Sequence, residues 1–197
     1  IHPNASAVGS LDLGFETDIK VKQRLMRETK TIYNLGCDTI EVDKATFVIY
    51  QGSHGDKGAG SADLILPSAC YLEEDGIFVN TEGRMQYARK AIQPPGKAKE
   101  NWRILRAISE KLGCIPNWID LNGLRSALFE EFPLISKQGK IIEVPWETVK
   151  KQKKLISKTT LAGYIKDYYL SNSICRASKT MGNLARARNS LNLKEAG

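Results

Sequence analysis

TFVIYQGSHGDKGAGSADLILP, residues 46–67, holds two short apolar runs separated by a glycine-rich loop. Residues 46–51 combine β-branched and aromatic side chains without a charge, which predicts a strand. Residues 62–67 predict a second buried strand that ends at Pro67, because proline supplies no N–H to a sheet. Residues 31–38, TIYNLGCD, predict a further buried strand that ends in a Gly-x-Asp turn. Continuous apolar strands of this kind are typical of a mainly parallel α/β sheet covered on both faces.

The loop between the two strands, GSHGDKGAG at residues 52–60, has the composition of a phosphate cradle. Glycines allow a close approach of the backbone and present N–H groups to an anion. The loop departs from both phosphate-binding motifs, because Lys57 precedes Gly58 and because the next predicted element is a strand rather than a helix. The pattern therefore favours a tight structural crossing between strands, with a phosphate site as the alternative.

Several charged residues near this loop are candidates for chemistry. His54 and Asp56 have the spacing of a base with its orienting carboxylate. No nucleophile motif accompanies them, so hydrogen bonds within the loop are favoured. The acidic triplet at residues 73–75 predicts a solvated turn rim rather than a two-carboxylate site. Glu82 and Arg84 predict a local ion pair or the docking of a neighbouring loop, and an anion-binding arginine is the alternative.

Four segments have the apolar spacing of amphipathic helices, namely residues 18–28, 97–113, 121–131 and 173–188. The best of them is 97–113, whose predicted apolar stripe consists of Trp102, Leu105, Ile108 and Leu112. Gly113 suits the left-handed position just past the end of that helix, and Pro133 ends the next one. Residues 71–90 contain turn signals and predict a compact, turn-rich lobe that leans on the sheet.

The composition excludes several classes of protein. Apolar residues make up 42% of the 197 and charged residues 26%, which is typical of a globular domain. No run approaches the roughly 18 apolar residues that a membrane span needs. The four cysteines form no Cys-x-x-Cys pair and only two histidines are present. Because zinc and iron–sulfur motifs need closely spaced ligands, we expect no metal site in this chain.

The net charge of +7 is unevenly distributed. Residues 1–100 hold 12 Lys/Arg and 14 Asp/Glu, a net charge of −2, whereas residues 101–197 hold 17 and 8, a net charge of +9. A basic half indicates nucleic acid, anionic lipid or an acidic protein as partner. The cluster KKQKK at 150–154 predicts a solvated helix face. Binding of RNA or lipid is the alternative, although aromatic residues are not interleaved with this basic run as single-strand binders require.

Longer strings carry a resemblance to a known family. HGDKGAGSADLILPSACYLEEDGIFVNTEGRMQ, residues 54–86, resembles a signature segment of the molybdopterin oxidoreductase superfamily. More narrowly, the chain is similar to the C-terminal part of the large, seventy-five-kilodalton iron–sulfur subunits of mitochondrial respiratory complex I, which correspond to the G subunits of the bacterial enzymes. The further strings are residues 4–15, 47–59, 94–113 and 165–181. The match is collinear and weakens over 114–160.

The resemblance implies a fold and a role. Residues 1–115 are expected to be the C-terminal part of a molybdopterin-oxidoreductase-like α/β domain, and residues 116–197 a basic, largely helical and irregular extension. In such subunits this region is structural and holds no molybdenum cofactor, and the iron–sulfur clusters lie only in the N-terminal portion. We therefore expect no catalytic, cofactor-binding or metal-binding residue here. The alternative is a fragment of a molybdopterin-dependent oxidoreductase that retains its cofactor site, with the glycine loop and Arg84 holding phosphates.

The same resemblance implies partners and a location. The expected partners are the N-terminal portion of the same subunit and the neighbouring subunits of the peripheral arm, on the matrix side of the mitochondrial inner membrane, with no nucleic acid and no direct membrane span. The chain is far shorter than such a subunit, so we expect either an excerpt or the product of a split gene. Residues 31–67 would then complete a sheet begun by another polypeptide. The basic tail, with Arg176, Lys179, Arg186 and Arg188, is expected to bind acidic subunits.

Overall fold

A computed structural model describes residues 6–15, 19–38, 46–141, 143 and 167–195. Its helices are α1 (Ala7–Asp12), α2 (Ile19–Glu28), α3 (Lys57–Gly60), α4 (Asn101–Lys111), α5 (Leu121–Glu131), α6 (Ser173–Ala177) and α7 (Lys179–Glu195). Its strands are β1 (Thr31–Leu35), β2 (Phe47–Gly52), β3 (Leu64–Pro67), β4 (Gly76–Val79) and β5 (Met85–Ala88). Among these residues no helix has the length and apolar character to cross a membrane. The cluster at 150–154 lies outside the described residues.

The first three strands form a parallel sheet in the order β1-β2-β3. Tyr33 pairs with Ile49, and Ile49 pairs in turn with Leu64. In the central strand, Val48 and Tyr50 are both 2% exposed, since alternate side chains of a strand point to the same face. The predicted α/β fold is confirmed and all three predicted segments form strands, but the predicted burial of residues 62–67 is wrong, because no residue of β3 is buried.

The parallel sheet leaves apolar side chains uncovered. Leu35, Phe47, Leu64 and Ile65 are between 44% and 55% exposed, although parallel sheets normally bury both faces. Within the described residues β1 and β3 are the two edge strands. Leu35, Phe47 and Leu64 lie on one face of the sheet and Ile65 lies on the other, because paired residues share a face and successive residues alternate.

The turn-rich lobe predicted over 71–90 contains an antiparallel hairpin of β4 and β5. Val79 and Met85 pair across this hairpin and form the main apolar core together with Ile135, which is only 5% exposed. Phe129 of α5 packs against the same cluster. Helix α5 and the short 3-10 turn Pro133–Ser136 therefore pack on the hairpin. The predicted boundary between two domains at residue 115 stays a prediction.

The helices that follow the hairpin begin and end largely where the sequence predicts. Helix α5 begins after Asp120, whose side chain accepts a hydrogen bond from the Gly123 N–H at 2.7 Å, and Pro133 starts a 3-10 turn just after the helix ends. Gly113 has a φ of +78°, as expected just past the end of α4. The predicted apolar stripe of α4 is not buried: Leu105 is 39% exposed, and Leu112, the residue just after the helix, is 75% exposed.

The single helix predicted over 173–188 is two helices, α6 and α7. Ser178 separates them because its backbone is extended, with φ −79° and ψ 122°. The Asn172 side chain caps α6 by accepting a hydrogen bond from the Cys175 N–H at 2.9 Å. In α7, Ala185 is 3% exposed, whereas Leu184, predicted to share its apolar side, is 44% exposed. The break lets α6 turn towards the sheet.

Replacement of Met85 tests the hairpin core. Met85→Ala should lower the free energy of unfolding by about 2–5 kcal/mol, because it leaves a cavity in a packed apolar cluster. Leu112→Ala, which removes a similar apolar side chain at an exposed position, should change it by less than about 0.5 kcal/mol. Urea unfolding followed by circular dichroism measures both. Equal effects of the two substitutions would show that the cluster around Met85 does not stabilise the fold.

Candidate functional site at the carboxyl edge of the sheet

The three parallel strands end at one edge of the sheet, where α/β proteins usually bind their ligands. A cavity of about 220 Å³ lies at this edge. Residues that follow the strands line it, including Gly36, Ser53 and Cys70. Ser173 and Ile174 of α6 form another part of its wall. The C-terminal helices therefore contribute directly to the crevice beside the glycine-rich loop.

The turn after β1 presents an aspartate to this edge. Gly36 adopts a φ of +65°, which favours glycine, and turns the chain out of the strand. The buried Asn34 side chain braces the turn, because its Nδ2 donates to the Cys37 carbonyl at 2.8 Å and its Oδ1 accepts from the Cys37 N–H at 2.9 Å. Asp38 follows and is buried at 9% exposure, so the predicted Gly-x-Asp turn is confirmed.

Arg176 of α6 binds two aspartates at the edge. Its Nη2 donates to Asp38 Oδ2 at 3.0 Å, and its Nε donates to Asp56 Oδ2. Its Nη1 also donates to the Leu170 carbonyl at 3.2 Å. We call Arg176 with Asp38 and Asp56 the arginine clamp. It joins residues 138 and 120 positions apart in the chain, and it ties the C-terminal helices to the loops after β1 and β2.

The clamp alters the protonation equilibria of its neighbours. The hydrogen bond from Arg176 holds the pKa of Asp56 below the usual value for an aspartate. Burial raises the pKa of Tyr50, and the charges of Asp38 and Asp56 raise it further. The Tyr50 hydroxyl donates to the His54 carbonyl at 3.1 Å, so it supports the glycine-rich loop from within. Arg176 thus favours the anionic form of Asp56.

Gly58 shows why the loop after β2 needs glycine. A Cβ on Gly58 would lie 2.6 Å from the Cys37 carbonyl oxygen and 2.8 Å from Cε2 of Tyr50. The Gly58 N–H also donates to Asp38 Oδ1 at 3.3 Å. The loop therefore crosses the turn after β1 at a distance that no side chain allows. The predicted tight crossing is confirmed at Gly58, although the intervening residues 57–60 form the short helix α3 and not a loop alone.

A buried amide network lies behind the cavity. Gln51, with no exposed surface, accepts from the Tyr33 hydroxyl and donates through Nε2 to Asn101 Oδ1 at 2.7 Å. Asn101 donates from its backbone N–H to Glu74 Oε2 at 2.9 Å and from Nδ2 to Glu74 Oε1 at 2.6 Å. Burial raises the pKa of Glu74, against the effect of these hydrogen bonds. The network joins β1, β2 and the first residue of α4.

The acidic triplet at 73–75 is not a solvated turn rim, which corrects the expectation from sequence. Each of its carboxylates is partly buried and accepts from a backbone N–H: Glu73 from Cys70 at 3.0 Å, Glu74 from Asn101, and Asp75 from Lys90 at 2.9 Å. The triplet fixes the path of the chain between β3 and α4. The partners of Glu74 and Asp75 are distant in sequence, so composition alone could not show this role.

The remaining candidate residues have separate partners. His54 Nδ1 lies 3.0 Å from Ser53 Oγ, whereas Asp56 belongs to the clamp, so no base with its orienting carboxylate is formed. Arg84 makes both of the contacts that the sequence predicted, an ion pair with Glu82 and a contact with a neighbouring loop. Its Nη2 lies 3.5 Å from Glu82 Oε2, and its Nη1 donates to the Gly139 carbonyl at 2.6 Å. Among the described residues no cluster of three metal-ligating side chains occurs.

Sequence reasoning missed the clamp. The signal available was the position of two aspartates, Asp38 and Asp56, directly after neighbouring parallel strands, where a cation is needed to balance them. Nothing in the local pattern identified Arg176 as that cation. The role of Gln51 was also missed. The sequence shows a single polar residue in an apolar strand, but it does not show which residues bind that side chain.

Comparison with known proteins defines the class. The model of the molybdopterin oxidoreductase family matches residues 1–111, and the chain belongs to that family. A second model, which describes the C-terminal region of the G subunit of NADH-ubiquinone oxidoreductase, matches residues 141–183. The resemblance carried by residues 54–86 is therefore confirmed.

The similar proteins include two bacterial subunits and one mitochondrial subunit. The chain is 38% identical over 190 residues to the G subunit of NADH-quinone oxidoreductase from Rickettsia bellii and 40% identical over 190 residues to that from Rickettsia conorii, covering 95% of this chain each time. It is 39% identical over 193 residues to the mitochondrial NADH-ubiquinone oxidoreductase 78 kDa subunit of Candida albicans, covering 92% of this chain. The chain spans about 27% of the length of the two bacterial relatives.

Gly58→Ala tests the close crossing. We expect a loss of about 1–3 kcal/mol in the free energy of unfolding, because the new methyl group meets the Cys37 carbonyl. Gly60→Ala is the matched control in the same helix, since a Cβ there would meet nothing within 4 Å. It should be neutral or slightly stabilising. Chemical denaturation of both variants measures the difference, and a Gly58→Ala variant as stable as wild type would contradict the crossing.

The pH dependence of Asp56→Asn tests the clamp. Because the folded-state pKa of Asp56 is lowered, its contribution is present above the ordinary aspartate pKa of about 4 and is lost as the pH falls through the folded-state pKa. Asp56→Asn should therefore cost up to about 1 kcal/mol at pH 7, and the cost should shrink below pH 4. Glu130→Gln, at an exposed position, is the control. Unfolding free energies between pH 3 and 7 provide the measurement, and a cost that grows on acidification would contradict the clamp.

Proposed function

We propose that this chain is a non-catalytic structural component of the peripheral arm of respiratory complex I, the NADH to ubiquinone electron-transfer machine, on the matrix side of the mitochondrial inner membrane. The observation that carries the proposal is the similarity to the bacterial G subunits and the mitochondrial 78 kDa subunit, which runs along 92% or more of the chain. The name of the Candida albicans relative includes a mitochondrial location, which supports that part of the proposal.

The arginine clamp supports a structural role in place of cofactor binding. A pterin cofactor with phosphates would need cationic or N–H donors at the carboxyl edge of the sheet. There the Arg176 guanidinium already serves Asp38 and Asp56, and two carboxylates against one guanidinium repel a phosphate. The cavity of about 220 Å³ is also below the roughly 300–1,000 Å³ of typical cofactor sites. The residues present do not fit the family's cofactor.

The iron–sulfur clusters of the proposed assembly are assigned to the N-terminal portion of the subunit. In this chain the cysteines at 37, 70, 114 and 175 are spread over most of the sequence, and no disulfide joins any two of these four described residues. Iron–sulfur motifs require several cysteines close together, because one cluster takes four ligands. This spacing supports a chain that takes part in the machine without carrying its electrons.

The uncovered edge strand β3 supports the rest of the subunit as partner. Leu64 and Ile65 are 44% and 52% exposed and lie on opposite faces of the sheet, so β3 is uncovered on both faces, although parallel sheets are normally covered. The chain spans about 27% of the length of its Rickettsia bellii relative, so most of the polypeptide that would cover this strand lies in the remaining portion. We propose that the remaining portion of the subunit packs on β3 and buries its exposed apolar side chains.

The basic residues of the C-terminal region differ in their contacts within the chain. Arg176 is engaged by the clamp, and Arg188 lies 3.6 Å from Asp167 Oδ2 and over the Tyr169 ring. Their charges support the chain's own structure, and their binding to acidic subunits stays a prediction. Lys179 and Arg186 lie on the exposed side of α7 and are the better candidates for contact with neighbouring subunits.

A cofactor-holding fragment of a molybdopterin-dependent oxidoreductase is the second candidate, favoured by the cavity at the carboxyl edge. Metal and pterin analysis of the purified assembly separates the two. The structural proposal predicts molybdenum and tungsten well below one per chain, together with co-migration of the chain and NADH-oxidising activity on a native gel. A stoichiometric metal with a fluorescent pterin product would overturn it.

Ile65→Asp tests whether another part of the assembly covers the edge strand β3. The isolated chain should tolerate the change within about 0.5 kcal/mol because Ile65 is exposed there. Assembly should fall at least tenfold, because the charge would be buried without a partner. Gln86→Asp, also at an exposed strand position, is the control and should assemble as wild type. Native gels stained for NADH oxidation measure assembly. Normal assembly of Ile65→Asp would show that no other part of the assembly covers this position.

A further inference from the structure

A groove between β5 and α5 is separate from the edge of the sheet. Its volume is about 380 Å³, and none of its residues lines the cavity beside the glycine-rich loop. Six side chains line it: Tyr87, Arg89, Asn122, Arg125, Ser126 and Phe129. The strand and the residue that follows it contribute two of them, and the helix contributes four. The set contains two arginines, an amide and a hydroxyl, and no carboxylate.

The two arginines of the groove lack an acidic partner within the described residues. Arg84, Arg103 and Arg106 each lie within 3.5 Å of a glutamate oxygen. No ion pair involves Arg89 or Arg125 in the part of the chain that the structure describes. Arg125 is half-buried, and a guanidinium in that setting gains from an anion brought by another molecule.

The geometry suits a carboxylate. The Arg125 guanidinium lies 5.0 Å from the centroid of the Tyr87 ring, which holds it by a cation–π contact. Guanidinium groups bind carboxylates through two parallel N–H donors, so a held arginine is prepared for bidentate recognition. Asn122 and Ser126 lie four residues apart on one face of α5 and supply further polar groups.

We propose that this groove binds an acidic segment of another protein through carboxylate side chains, with Arg89 and Arg125 as the main contacts. An extended acidic peptide fits an open groove with an exposed arginine at its rim, since Arg89 lies on the surface and Tyr87 and Phe129 offer apolar contact. The net charge of +7 favours encounter with an acidic partner. The groove is built from residues between 87 and 129, so its binding of an acidic segment does not depend on membership of an electron-transfer assembly.

Binding of a fluorescein-labelled hexaglutamate peptide to the full 197-residue chain tests the proposal. Fluorescence anisotropy should show binding that weakens as salt rises. Arg89→Ala/Arg125→Ala should weaken it at least tenfold. Arg24→Ala/Arg27→Ala removes the same charge from the exposed surface of α2 and should stay within twofold of wild type. All proteins are compared at one concentration, so self-association cannot create the difference.

Further arms distinguish the source of the anion. If the double variant loses its circular dichroism signal, the single variant Arg89→Ala replaces it in the test. Its side chain is exposed, so the fold should be retained, and we expect peptide binding at least threefold weaker than in wild type. Equal losses of peptide affinity in the two double variants would show that binding depends only on net charge and would overturn the proposal. Absence of peptide binding together with binding of phosphatidylserine vesicles would also overturn it. Complete displacement of the peptide by millimolar inorganic phosphate would point to a small-anion site and overturn it as well.

Discussion

Arg176 bridges Asp38 and Asp56 at the carboxyl edge of the parallel sheet. Two aspartates at the ends of neighbouring strands repel each other, and removal of their shared cation would leave the buried Asp38 without its charge partner. The guanidinium therefore stabilises the loops after β1 and β2 and at the same time occupies the edge where proteins of this architecture receive ligands. This contact ties the C-terminal helices to both loops.

Other features of the molecule serve to place these three groups. The Asn34 side chain and the left-handed Gly36 direct Asp38 towards the edge. Gly58 lets the next loop pass within hydrogen-bond distance of that aspartate. At the other end of the chain, the extended Ser178 separates α6 from α7, so that Arg176 turns inward. The apolar side chains of the sheet remain exposed beside this edge.

Local features of the fold were predictable from sequence because short-range chemistry decides them. The β-branched and aromatic run at 46–51, the proline at 133 and the glycine at 113 act through their own backbones. The clamp was not predictable, since it joins residues more than a hundred positions apart and depends on tertiary packing. Tertiary packing also explains two other differences. Glu74 was expected at the surface but is partly buried and accepts a hydrogen bond from Asn101, and Leu112 was expected in the core but is exposed.

We propose that the contact of Arg176 with Asp38 and Asp56, and not a cofactor, occupies the carboxyl edge of the sheet in the assembled protein. A structure of the chain within the purified NADH-oxidising assembly tests it most directly. The account predicts the Arg176 side chain between Asp38 and Asp56, with continuous density only from protein and solvent in the crevice beside residues 52–60. Density for a pterin in that crevice, with Arg176 displaced from the two aspartates, would contradict the account.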